Sequence, residues 1–80
     1  MRARITVTLK AGVLDPQGQA ITGSLRALGF GTLNSVRQGK LFDVEVDATD
    51  EAEAHSVLRA MCEKLLANTV IENYAIEILR

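Results

Sequence analysis

Ala3-Arg4-Ile5-Thr6-Val7-Thr8-Leu9-Lys10, followed after a short loop by Asp15-Pro16, decides the architecture of this chain. Ala3, Ile5, Val7 and Leu9 alternate with Arg4, Thr6, Thr8 and Lys10, a period of two that describes a strand with one buried face. Lys10 to Leu14 is a connecting loop. Asp15 before Pro16 has the form of an N-cap residue followed by proline at the first helical position, so the period changes from strand to helix there. Ile21, Leu25 and Leu28 then fall on one helical face, and Gly29 stands where a left-handed C-terminal cap belongs. Gly18 and Gly23 weaken this helix by about 1 kcal/mol each relative to alanine, but their smallness permits close packing.

Further along, Leu33 to Gln38 reads as a short polar second strand, and Gln38-Gly39-Lys40 as a tight turn into a third strand, Leu41 to Asp47. Phe42, Val44 and Val46 define the buried face of that third strand. Asp50 and Glu53 have capping-box spacing, and Ala54, Val57, Leu58, Met61 and Leu65 trace the apolar stripe of a second helix ending near Asn68. Tyr74, Ile76 and Ile78 mark a last strand.

The order βαββαβ predicts an α+β, ferredoxin-like sandwich over residues 1–80 as a single domain: a four-stranded antiparallel sheet with two helices on one face. The usual strand order of that fold, 4-1-3-2, places Arg2 and Arg4 opposite Asp47 and Glu45 and near Glu77, so the open sheet face is expected to balance its own charge.

A chain of 80 residues, 48% hydrophobic and 24% charged, has room for one core and no second one. A domain this small buries only about 60 to 65% of its unfolded surface, so association with other chains helps it. The formal net charge of −1 offers no basic excess for a phosphate backbone, which argues against nucleic acid. No apolar run approaches the ~20 residues needed to span a bilayer, and Met1 to Lys10 lacks a signal-peptide core, so the expected location is the cytoplasm.

Candidate chemistry is sparse. His55 is the only histidine and reads as a solvated helix position, since a metal site needs several converging ligands. Cys62, the only cysteine, is two helical turns from that histidine and reads as a packed or partly exposed thiol. Asp43, Glu45 and Asp47 alternate along a strand while Asp50, Glu51 and Glu53 begin a helix, positions that account for these acids without a metal. The Gly12 to Gly18 loop leads into a helix N-terminus but lacks a phosphate-loop spacing, and Asp15 would repel an anion. Val13 and Leu14 look instead like an anchor, against this domain's core or a partner chain. An RNA-binding domain of this fold needs outward aromatics, where this chain has Thr6, Thr8, Asp43 and Glu45. Lys10 to Pro16 holds neither the cysteine pair of a metallochaperone nor the arginine-bearing loop of an acylphosphatase. The residues thus leave two classes open: an assembly domain, and a stand-alone regulatory module that binds a small molecule at a dimer interface.

Three stretches carry a resemblance. Leu9-Lys10-Ala11-Gly12-Val13-Leu14-Asp15-Pro16-Gln17-Gly18 and Val36-Arg37-Gln38-Gly39-Lys40 are two of them. The third, Met61-Cys62-Glu63-Lys64-Leu65-Leu66-Ala67-Asn68 with Val70-Ile71-Glu72-Asn73-Tyr74, is too long to match a generic amphipathic helix by chance. Together they resemble the PurS family, the small subunit of phosphoribosylformylglycinamidine (FGAM) synthase. Thr69 stands where family members often carry proline.

The resemblance implies a place in de novo purine synthesis, in an ATP-dependent carbon–nitrogen ligase that takes its nitrogen from glutamine. It implies a chain without catalytic, cofactor-binding or metal-binding residues of its own, with ATP and magnesium in a large synthetase subunit and ammonia released by a glutaminase subunit. It implies both of those subunits as partners and a homodimer, with a tetramer in isolation also compatible. Lys10, Asp15, Arg37 and Lys40 match signature positions and are the expected partner-contact or self-association residues. The apolar last strand is the expected edge for self-association.

Overall fold

The computed structural model describes residues 1–79. Strand β1 (Arg2–Leu9) lies at the centre of a three-stranded antiparallel sheet, between β2 (Gly39–Glu45) and β3 (Glu72–Leu79). Helix α1 (Pro16–Ala27) links β1 to β2, and helix α2 (Glu51–Met61) links β2 to β3. The alternation of β1 has the expected effect: Ala3, Ile5 and Val7 are buried, and Arg2, Arg4, Thr6 and Thr8 face solvent. Their core is completed by Ala54, Leu58, Cys62 and Ala67, so α2 covers one face of the sheet. Burying side chains the size of Ile5 and Leu58 contributes about 1.5 to 3 kcal/mol each. The exposed Arg4 Nε to Asp43 Oδ1 pair at 3.0 Å on the other face contributes about 0.2 to 1 kcal/mol. The apolar side chains therefore decide which face of β1 turns inward.

The helix termini follow their sequence signals. Asp50 Oδ1 accepts from the Glu53 N–H at 2.7 Å, and the Glu53 carboxylate reaches back to Thr49, accepting from its N–H and its hydroxyl. α2 continues through a wider turn, Cys62–Leu66, that closes with the Ala67 N–H donating to the Cys62 carbonyl at 3.0 Å. α1 ends in a Schellman motif: Gly29, at φ +105°, donates to Arg26, and Phe30 donates to Leu25. No helix among the described residues is long and apolar enough to cross a membrane.

Three expectations are corrected. First, the sheet has three strands, because Leu33 to Gln38 is not a strand. The backbone of that segment is satisfied by side chains from the α1 side: the Val36 N–H donates to Thr22 Oγ1, the Gln38 N–H to Asp15 Oδ2, and Arg26 donates to the Leu33 and Asn34 carbonyls. Gln38-Gly39-Lys40 is accordingly no hairpin turn, and β2 already begins at Gly39.

Second, α1 is not on the sheet. Strand β1 packs with its neighbours and α2 with β3, whereas α1 lies along its own returning segment. The two form an arm, and the molecule is 50 Å long with a radius of gyration of 16.0 Å, against about 12 Å for a compact chain of this length. Third, the register is shifted by two residues from the expected one, with Arg2 opposite Glu45 and Arg4 opposite Asp43 and Glu77. An even shift keeps every side chain on its face, so the opposite charges still meet.

Candidate functional site

The chain crosses from sheet to arm twice, outward through Lys10 to Asp15 and back through Arg37 and Gln38, and the singled-out residues gather at that joint. Asp15 is only 6% exposed. One of its carboxylate oxygens, Oδ1, caps α1 by accepting from the Gly18 N–H at 2.9 Å. The other, Oδ2, accepts from the Gln38 N–H at 2.7 Å, so a single side chain holds both crossings. These hydrogen bonds, that from Gln38 first, lower the Asp15 pKa below its ordinary value, with the nearby Arg37 charge acting in the same direction.

Arg37 grips in the opposite sense. Its guanidinium donates to the Val13 carbonyl at 2.9 Å and to the Lys10 carbonyl at 3.3 Å. Lys10 enters the joint through its backbone, since its N–H also donates to the Ile71 carbonyl at 2.9 Å. Lys40 shares a cavity of about 140 Å³ with Asp15, Gln38 and Glu72, and pairs with Glu72 at 3.6 Å. The four residues expected to contact partners are therefore brought together, and Asp15 and Arg37 hold this chain to itself.

Gly18 is the joint's third element. A Cβ there would collide with the Val36 carbonyl oxygen and lie 2.6 Å from Asp15 Oδ2. The close packing anticipated for this glycine is the approach of α1 to its returning segment. Thr22 was missed by the sequence reading, although it sits one turn after Gly18: its hydroxyl donates to the Gly18 carbonyl and accepts from the Val36 N–H. Arg26, in the last turn of α1, carried no distinguishing signal.

Two apolar surfaces lie away from the joint. The arm presents Ile21 and Leu28, the latter 75% exposed, with Phe30 57% exposed. On the main body, α2, the wider turn that follows it and β2 form a groove of about 580 Å³ whose surface is largely apolar, lined by Val44, Val57, Met61, Leu65 and Leu66 with Lys64 among them. Leu14 is largely exposed and Val13 half-buried, so the loop anchors through Arg37 more than through its apolar side chains. Cys62 lies in the core, where burial raises its thiol pKa, and His55 is half-buried on α2.

The model of the family described as PurS, phosphoribosylformylglycinamidine (FGAM) synthase, matches residues 2–80. The chain belongs to the PurS family. The PurS subunit of Synechocystis is 51% identical to it over 75 residues, covering 94% of this chain and 75% of that protein. Methanocaldococcus jannaschii PurS, one of the subunits of formylglycinamide ribonucleotide amidotransferase in the purine biosynthetic pathway, superposes with a TM-score of 0.89 at 35% identity. That match covers 99% of this chain and 95% of the archaeal one. A chain of the PurLQS structure from Thermotoga maritima superposes equally well, with a TM-score of 0.89 at 32% identity over 98% of this chain and 95% of that chain. PurS membership favours the assembly class over the stand-alone regulatory module.

Proposed function

We propose that this chain is the non-catalytic PurS subunit of FGAM synthase in de novo purine biosynthesis, working in the cytoplasm as a homodimer that holds the large synthetase and glutaminase subunits together. The large subunit supplies the ATP, magnesium and ribonucleotide sites, and the glutaminase supplies ammonia. Ammonia in water is diluted and protonated, so a subunit that fixes two active sites relative to one another raises the rate of its transfer while catalysing no step.

One observation carries the homodimer: the chain has an uncovered apolar helix and an uncovered apolar groove of the same chemistry, held apart from each other. The groove flanks β2, the half of the sheet that α1 would cover if the ferredoxin-like sandwich closed within one chain. A second copy's α1 fits there for the same reason this chain's own would, the usual basis of an exchanged dimer. The returning segment travels with α1 and comes to lie beside β2, where the fourth strand of that sandwich belongs. A lone helix of 12 residues is marginal in water, so α1 gains most from such a cover.

The test combines this chain with the large and glutaminase subunits of its own organism. Glutamine-dependent amidine synthesis and co-elution of all three are expected only when the chain is present. Full activity without it, and no co-elution, would remove the assembly role.

A further inference from the structure

The joint between arm and sheet is reciprocal. The outgoing crossing holds the returning one through Asp15 Oδ2 and the Gln38 N–H, and the returning crossing holds the outgoing one through Arg37 and the Val13 and Lys10 carbonyls. Each grip uses one side chain for two hydrogen bonds. A carboxylate bonds two N–H groups, on Gly18 and Gln38, and a guanidinium bonds two carbonyls. Two glycines permit the close approach: a Cβ on Gly18 would strike the Val36 carbonyl oxygen, and one on Gly39 would lie 2.7 Å from that of Val7.

A plain helix cap would need only one acceptor, and the second oxygen of Asp15 is spent on orientation. The 12 residues of α1 extend about 18 Å from this joint, so a 10° change at the base displaces the tip by about 3 Å. A shift of that size is large for a path that must deliver ammonia from one active site to another.

We propose that Asp15 and Arg37 are positioning residues whose mutual clasp sets the angle of the arm, and through it the alignment of the glutaminase and synthetase sites. Loosening the clasp then uncouples glutamine hydrolysis from amidine formation without dispersing the complex. This inference rests on the assembly role.

The experiment uses the reconstituted three-subunit complex and measures glutamine hydrolysed per amidine formed. Asp15→Ser keeps an acceptor for the Gly18 N–H but is too short to reach Gln38 as well, whereas Arg37→Met keeps the aliphatic stem and removes the donor for the Val13 and Lys10 carbonyls. Each variant is expected to raise the ratio at least about twofold while the complex still co-elutes. Asp15→Ser is further expected to broaden the distance between spin labels on the two arm tips of the dimer. A ratio and distance distribution equal to wild type in both variants would overturn the proposal and leave the assembly role standing. Loss of co-elution in both would also overturn it, making the clasp a requirement for folding or docking. If wild-type chain proves dispensable for glutamine-dependent synthesis, the assembly role fails before any variant is compared.

Discussion

Asp15 joins two roles that sequence separates poorly. Its place before Pro16 announces a helix cap, and the Gly18 contact at 2.9 Å is that cap. The contact to Gln38 is between residues far apart in sequence, and no local pattern announces it. Protonation weakens both contacts, which sets a sign for pH dependence. Because the folded-state pKa of Asp15 is lowered from about 3.8, its contribution to stability is fully present above that value and is lost as pH falls through the lower folded value. Glu53, held by Thr49, adds a contribution of the same sign beginning from about 4.5. In urea titrations, wild type is expected to exceed Asp15→Ser in stability at pH 6 and to lose that advantage progressively below about pH 4. A difference that stays constant down to pH 2 would assign the effect of the substitution to packing.

At the scale of elements, the strands and helices that bury their own apolar pattern were legible. β1, with its strict alternation, and α2, with its Asp50 cap and Ala54-Leu58 stripe, stand where expected, as does the Gly29 terminus of α1. Leu33 to Gln38 was misread for a physical reason: an extended polar segment looks alike whether its hydrogen bonds go to another strand or to side chains. Here Thr22, Arg26 and Asp15 provide those partners. Thr22→Val, which keeps the shape and removes the hydroxyl, is expected to speed amide exchange at Val36 at least about tenfold while leaving Ile5 and Val7 of β1 protected. Equal protection of Val36 in both proteins would mean that another group satisfies its N–H. The two-residue shift between β1 and β2 belongs to the same lesson, because alternation dictates face and leaves even displacements to turn geometry and pairing.

At the scale of the whole molecule, the sequence carried the right apolar residues and no information on which chain covers them. Ile21, Leu25 and Leu28 trace an amphipathic helix whether its apolar face meets its own sheet or another copy's. The arm, 50 Å overall length and exposed apolar groove emerge only once the joint at Asp15 and Arg37 sends α1 away from the sheet. The central claim is that the arm of each chain fills the groove of the other. It is tested most directly by complementation between two surface variants, Leu28→Asp on the arm and Val57→Asp in the groove. Alone, each variant carries a charge in both symmetric contacts and is expected to dimerise at least about a hundredfold more weakly than wild type in sedimentation equilibrium. Mixed, they can form a heterodimer in which one contact is free of either charge, and recovery of dimer on mixing is the predicted result. Dimerisation of both variants with wild-type affinity, or weakened variants that gain nothing on mixing, would contradict the exchange of arms.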